Sequence, residues 1–107
     1  MEKRTKNRIA RRFFLRFGPE EAVNIGFTGD ISLTGIFIKT TAIFSPSTVL
    51  KIEIELPGSK ILHLRGTVMW AKRISPSLMR HIKKSGMGVK ILQPSEEYLQ
   101  FVSGLKG

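Results

Sequence analysis

Residues 49–70 read VLKIEIELPGSKILHLRGTVMW, and this stretch decides the fold class of the chain. In its first half, apolar side chains at 50, 52, 54 and 56 alternate with charged side chains at 51, 53 and 55. A period of two is typical of a β-strand with one buried face and one solvated face. A turn signal follows at Pro57-Gly58-Ser59, and residues 60–72 read as the returning strand. The stretch therefore predicts two neighbouring antiparallel strands.

The returning strand carries its large apolar side chains on one parity. Leu62, Leu64, Val68 and Trp70 share that parity, and Gly66 lies among them. We expect this face to be buried, so Trp70 is interpreted as a core residue in preference to a ring that stacks on a base. Gly66 is expected to mark a bend, as barrel corners often need.

Four further apolar segments predict the other strands, at 13–17, 23–30, 36–38 and 89–92. Gly26 and Gly29 allow a bulge or a close backbone approach in the second of them. Residues 74–85 fit either a short helical turn or a basic loop. Ser95 then offers an N-cap, and apolar residues at helical spacing predict an amphipathic helix over about 95–106.

These elements predict one all-β domain. We expect a small six- or seven-stranded antiparallel β-barrel over 13–107, with a C-terminal α-helix that covers an open end of the sheet. A flexible basic N-terminal arm over 1–12 precedes the barrel.

Composition restricts the classes of function. The chain has 107 residues and no Cys, so disulfides and thiolate sites are excluded. His63 and His81 are too few and too far apart to suggest a metal site. Neither a secretory signal nor an apolar run of membrane-spanning length is present, so we expect a soluble cytoplasmic protein.

The net charge of +10 favours anionic partners: nucleic acid, a nucleotide, an acidic lipid surface or an acidic protein face. Seven basic residues lie within the first sixteen positions, and five more lie over 72–84 with no acid among them. The second group fits a partner or lipid surface, although a solvated loop is the preferred interpretation.

No arrangement of residues indicates catalysis. The chain has one Asp, no Ser–His motif, and neither of the glycine-rich loops that cradle phosphates or dinucleotides. We expect a binding protein that is not an enzyme and has no metal or cofactor.

Two segments indicate what is bound. Asp30-Ile31-Ser32-Leu33-Thr34-Gly35 has the polar and glycine residues of a shaped loop, whose carboxylate, hydroxyl and bare backbone face one volume. Arg4 and Arg8 form R-x-x-x-R on the arm, and a guanidinium fork can hold a phosphate or the O6 and N7 edge of guanine. Asp30 supplies an acceptor for the guanine N1–H and N2 amine. Together they predict a clamp for an anionic guanine nucleotide.

The two motifs, in this order on an all-β pattern, resemble those of the PilZ domain family. Gly66-Thr67-Val68-Met69-Trp70 resembles the family's G-x-V-x-W strand, and Gly86-Met87-Gly88-Val89 resembles the start of its last strand. The resemblance covers essentially the whole chain and implies a receptor for the bacterial second messenger cyclic di-GMP. The residues that it assigns to the ligand are Arg4, Arg8, Asp30, Ser32 and Gly35.

The arginine motif has a second possible register, because Arg8 and Arg12 also fit R-x-x-x-R. The family usually has a small branched apolar residue after the second arginine, as Ile9 follows Arg8, so the earlier register is preferred. Lys3 then precedes the first arginine, at a position that in the family influences whether one or two nucleotides bind. The stoichiometry stays open.

The resemblance also implies a mechanism. The arm is mobile without ligand, closes over cyclic di-GMP through its arginines, and then offers a new surface to a protein partner. Regulation of motility or biofilm formation is the expected output. Two alternatives stay open: a small basic barrel that binds single-stranded nucleic acid, and a PilZ-like adaptor that acts through protein contacts without a nucleotide.

Overall fold

The computed structural model describes residues 8–72 and 85–105. Two predictions concern residues outside these ranges: the role of the arm residues 1–7, and the helical turn or basic loop at 74–84. The elements in chain order are β1 Phe14–Gly18, β2 Asn24–Ile31, β3 Gly35–Lys39, β4 Val49–Leu56, β5 Lys60–Lys72, β6 Gly86–Ile91 and α1 Glu96–Leu105.

The six described strands close into a barrel in the order β1-β2-β3-β6-β5-β4, and every neighbouring pair is antiparallel. The β4–β5 pair runs in continuous register from Val49 opposite Thr67 to Leu56 opposite Lys60. The antiparallel barrel followed by one helix is therefore confirmed, with six strands in the described part of the chain. The last strand begins at Gly86, three residues before its predicted start, because Gly86-Met87-Gly88 pairs with β3.

One apolar cluster fills the barrel. Leu50, Ile52 and Ile54 of β4 are buried, as the alternation predicts, and they meet buried residues from every other strand. At Gly66 a side chain would collide with Val89, so the glycine allows β5 and β6 to pack closely at this point.

Helix α1 packs on the barrel through Tyr98 and Val102, which are both buried. The hydroxyl of Ser95 accepts a hydrogen bond from the Tyr98 backbone N–H at 3.1 Å, which caps the helix N-terminus. The rings of Phe101 and Phe13 meet edge to face with centroids 5.2 Å apart, so the helix also contacts the residue directly before β1.

The interpretation of Trp70 as a core residue is wrong. Val68 is buried opposite Val89, but a register shift follows, and Trp70 pairs with Gly88. Met69 is the extra residue of this β-bulge, and it reverses the parity of the strand. Trp70 consequently lies on the outer surface with 50% of its area exposed.

Candidate functional site

Asp30 reaches the outer surface because β2 has a β-bulge at Gly29. The sequence analysis noted that this glycine allows a bulge. Thr28 pairs with Ile38 and is buried, whereas Asp30 pairs with Phe37, whose side chain lies on the outer face. A Cβ at Gly29 would lie 2.6 Å from the Phe37 ring. The glycine therefore both supplies the extra residue and leaves room for the aromatic ring over it.

Arg8 is held beside Asp30 by the backbone of the next residue. Ile9 and Ile31 form an isolated bridge, with N–H to carbonyl hydrogen bonds of 2.8 and 2.9 Å. Arg8 Nε donates to Asp30 Oδ1 at 2.8 Å, and Arg8 Nη2 lies 2.5 Å from the same oxygen. The arginine motif and the loop motif, 22 residues apart, therefore meet through these two side chains.

This ion pair remains open to solvent. The side chains of Arg8 and Asp30 are 44% and 35% exposed. Pairs of this kind contribute under about 1 kcal/mol, because water screens the attraction. A ligand that offers better partners can therefore separate them at small cost.

The described part of the arm continues along β2. The hydroxyl of Thr28 accepts from the Phe13 backbone N–H at 2.8 Å and donates to the Arg11 carbonyl at 2.5 Å. Arg12 lies with its guanidinium carbon 4.0 Å from the centroid of the Phe27 ring. In this structure Arg8 therefore lines the pocket described below, whereas Arg12 covers an aromatic ring of β2.

The hydroxyl of Ser32 holds the loop together. Ser32 is 3% exposed, and its Oγ accepts from the backbone N–H groups of Thr34 at 3.3 Å and Gly35 at 3.2 Å. Gly35 begins β3 at a point where a Cβ would lie 2.8 Å from the Val89 carbonyl oxygen. Both motif residues thus shape the loop, and of the two only Gly35 lines the pocket.

Tyr98 supports the loop from the helix. Its phenol donates to the Ser32 backbone carbonyl at 2.6 Å and is fully buried. Burial raises the pKa of Tyr98, while the charge of Arg8 acts in the opposite direction. The phenol therefore stays protonated and available as a donor across the physiological pH range.

An aromatic surface lies next to the Arg8–Asp30 pair. Asp30, Phe37, Gly88 and Trp70 form one row across the neighbouring strands β2, β3, β6 and β5. Because Gly88 has no side chain, the Trp70 indole lies over it; a Cβ there would collide with the ring. The indole stacks on Phe37 with centroids 5.5 Å apart and an interplanar angle of 18°.

These groups line an open pocket of about 600 Å³. Arg8 and Asp30 lie on one side of it, the Phe37 and Trp70 rings form a flat apolar part, and Lys90 adds a second cation. Guanidinium and ammonium donors, a carboxylate acceptor and an exposed indole together suit a ligand that has both negative charge and planar, hydrogen-bonding rings.

The sequence identified only part of this site. Arg4 and Lys3 lie outside the described residues, so their roles stay predictions. Phe37, Lys90 and Tyr98 were not predicted. The outward position of Phe37 depends on the strand register, whereas Lys90 stands out only as the charged residue between buried Val89 and Ile91.

Within residues 8–72 and 85–105, no three His, Asp or Glu side chains are grouped so that they could hold a metal ion. No helix of that part of the chain has the length and apolar character needed to cross a membrane.

The model of the PilZ domain matches residues 2–104. The chain belongs to the PilZ domain family. PilZ domains are receptor or adaptor domains, and cyclic di-GMP is the ligand of the family. The resemblance noted in the sequence is thereby confirmed.

Among solved structures, this PilZ chain is similar to the Bacillus subtilis inhibitor of motility, MotI/DgrA. The TM-score is 0.73 at 16% identity, and the match covers 99% of this chain and 52% of the other. The likeness is one of fold, and the chain spans about half the length of the B. subtilis protein. No curated protein matches the chain significantly in sequence.

Proposed function

We propose that this PilZ domain is a cytoplasmic receptor that binds cyclic di-GMP in the pocket beside Arg8 and Asp30 and signals to a protein partner. The observation that carries the proposal is the meeting of these two side chains, one from each motif, at a pocket where the exposed Trp70 ring stacks on the partly buried Phe37 ring. Neither motif alone would argue for a ligand.

The charged groups suit the two phosphates and two guanines of this nucleotide. Both contacting nitrogens of Arg8 meet Oδ1 of Asp30, and Oδ2 has no hydrogen-bond partner among the described residues. In the proposed complex, the carboxylate accepts from the N1–H and N2 amine of a guanine. Arg8 turns its guanidinium fork to a phosphate or to the guanine O6 and N7 edge.

The remaining motif residues have different parts in the proposal. Ser32 contributes through the shape of the loop, because its hydroxyl is buried in loop hydrogen bonds. Gly35 lines the pocket, and its lack of a side chain lets β3 approach β6 closely there. Arg4 supplies a second guanidinium, and Lys3 affects the stoichiometry; both assignments rest on the family resemblance.

The rings supply a stacking surface. Trp70 is half exposed, and Phe37 supports it from one side. A base stacked on an aromatic side chain contributes about 1–3 kcal/mol. One guanine of the ligand then lies on the indole while its edge faces Asp30.

The arm connects binding to output. The bridge at Ile9 and the hydrogen bonds of Thr28 place the chain from Arg8 to Phe13 against β2, so the ligand-binding arginine and the barrel are joined by few contacts. The predicted closure of Arg4 concerns residues outside the described part. We extend the proposal to regulation of motility or biofilm formation through a docked partner, since the structural neighbour is named an inhibitor of motility.

Calorimetric titration with cyclic di-GMP tests the proposal. The wild type should bind, and Arg8→Ala should weaken binding tenfold or more, because a hydrogen bond to a charged group contributes roughly 1.5–3 kcal/mol. Arg16→Ala is the matched control, since Arg16 is a half-exposed arginine on β1 outside the pocket lining. Equal affinities of wild type and Arg8→Ala would contradict the site.

Single-stranded nucleic acid is a second candidate ligand. The exposed Trp70 ring and the net charge of +10 both favour it. A salt series with an oligonucleotide separates the two functions. A steep salt dependence, together with failure of cyclic di-GMP to compete, would favour nucleic acid.

A further inference from the structure

Lys90 occupies a position on the pocket that neither motif contains. It lies on the outer face of β6, in register with Gly35 of β3 and Thr67 of β5. Gly35 has no side chain and Thr67 has a short one. The exposed Lys90 side chain therefore stands above both of its cross-strand neighbours, at the edge of the pocket that it lines.

The charges of the pocket make this lysine distinctive. Among the described residues that line it, Arg8, Asp30 and Lys90 carry formal charge. Arg8 and Asp30 are paired with each other, and no described carboxylate lies within ion-pair distance of Lys90. In this structure, the positive charge of Arg8 is thus paired with Asp30, whereas the positive charge of Lys90 is not paired with any described carboxylate.

The two cations also differ in how they are held. Arg8 belongs to the arm and is attached to the barrel through the short bridge at Ile9. Lys90 projects from β6, a strand of the closed barrel that is paired on both sides, with β3 and with β5. Its backbone position is therefore fixed whether or not the arm moves.

We infer that Lys90 binds a phosphate of the nucleotide, from the side of the pocket that β6 forms. The inference rests on the proposed function and extends it: the ligand's negative charge is met by Arg8 from the arm and by Lys90 from the barrel wall. An ammonium group has three donors and little directional demand, so it suits a phosphate oxygen that arrives before the rest of the ligand is oriented. Lys90 therefore adds to the attraction of the pocket for an anionic ligand, beside the bidentate contacts of the arginine.

The test compares Lys90→Gln with Lys51→Gln by titration with cyclic di-GMP at several salt concentrations. Lys51 is an exposed lysine on the outer face of β4, outside the pocket lining, so both variants lose one charge from the same kind of strand surface. We expect Lys90→Gln to weaken binding about tenfold at low salt and to flatten the salt dependence. The affinity of Lys51→Gln should stay within about twofold of wild type, because Lys90 is still present in the pocket. Lys90→Arg should keep most of the affinity, because it retains a cation at this position.

Three other outcomes of this titration would contradict either the inference about Lys90 or the proposed function. If Lys90→Gln binds like wild type while Arg8→Ala loses affinity, the inference about Lys90 is wrong and the proposed function stands. If Lys90→Gln and Lys51→Gln lose affinity equally, the effect is one of net charge and the phosphate contact is wrong. If wild type does not bind cyclic di-GMP, the proposed function and the inference fall together. Thermal unfolding of each variant verifies that the barrel is intact.

Discussion

The phenol of Tyr98 donates a hydrogen bond to the backbone carbonyl of Ser32 at 2.6 Å, although 66 residues separate the two in sequence. The bond joins helix α1 to the turn between β2 and β3, next to the end of β2 that carries Asp30. Because the Ser32 side chain is itself part of the loop, the helix fixes the loop through its backbone. The C-terminal helix therefore belongs to the support of the site as well as to the core.

Tyr98→Phe should weaken cyclic di-GMP binding by several-fold. The change keeps the ring in the core but leaves the buried Ser32 carbonyl without its donor, which costs about 1–3 kcal/mol of stability. Calorimetry and thermal unfolding measure both effects. Ser95→Ala is the control, because loss of this helix cap costs a similar ~1 kcal/mol without touching the loop. A Tyr98→Phe variant no weaker in binding than Ser95→Ala would show that the loop needs no such support.

Stability should fall in alkaline solution as Tyr98 ionises. Burial raises the folded-state pKa of Tyr98 above its ordinary value of about 10, so the folded state retains a proton that the unfolded state releases. The contribution of the protonated phenol to the free energy of unfolding is fully present below about pH 10 and is lost as the pH rises through the folded-state pKa of Tyr98. Tyr98 is the single Tyr of the chain, so its ultraviolet absorbance reports the titration directly. Unfolding of Tyr98→Phe should depend less on pH in this range; identical profiles would contradict the assignment.

Gly88→Ala should displace the Trp70 indole and weaken binding tenfold or more. The atoms nearest to the new methyl group belong to the indole, so the ring must move while the backbone is spared. Trp70 is the single Trp, so its fluorescence reports the displacement. Gly104→Ala is the control, since a Cβ there meets no atom within 4 Å. Unchanged emission and affinity in Gly88→Ala would mean that the stacked arrangement does not matter for the ligand.

The two registers of R-x-x-x-R predict different effects of neighbouring arginines. With Arg4 and Arg8 as the ligand pair, Arg4→Ala should lower affinity about as much as Arg8→Ala. Arg12→Ala should leave affinity within about twofold of wild type. Its cost should be about 0.5–1 kcal/mol of stability, from the lost contact with Phe27. Calorimetry on the three variants decides between the registers, and a large loss in Arg12→Ala with none in Arg4→Ala would reverse the choice.

Local patterns predicted the barrel but not the composition of its outer surface. The alternation over 49–56 requires one buried face, and the turn at 57–59 predicts the antiparallel pairing of β4 with β5 that the structure has. The alternation of buried and exposed positions along β5 predicted a buried Trp70, and this prediction was wrong. One extra residue, Met69, turns the later side chains of the strand to the other face. The bulge has no signal within its own strand; a hint lies on β6, where Gly88 leaves room for a large ring.

The candidate site was predictable to the extent that it consists of local motifs. Asp30 and Arg8 were predicted as ligand residues because their residue types and spacing match a chemical requirement for guanine and phosphate, and the structure brings the two side chains together. The buried position of Ser32 and the support from Tyr98 depend on how distant parts of the chain pack, which a local motif does not contain. Lys90 was missed because a charged residue on an alternating strand is normally just a solvated one.

The central claim is that cyclic di-GMP binds between the arm and the outer surface of β2, β3, β6 and β5. A titration of the isotopically labelled chain with cyclic di-GMP, followed by backbone amide NMR shifts, tests it most directly. The largest shifts should appear at Arg8, in the loop 30–35 and around Gly88, with small shifts on β4. Absence of shifts, or shifts concentrated on β1 and β4, would contradict the account.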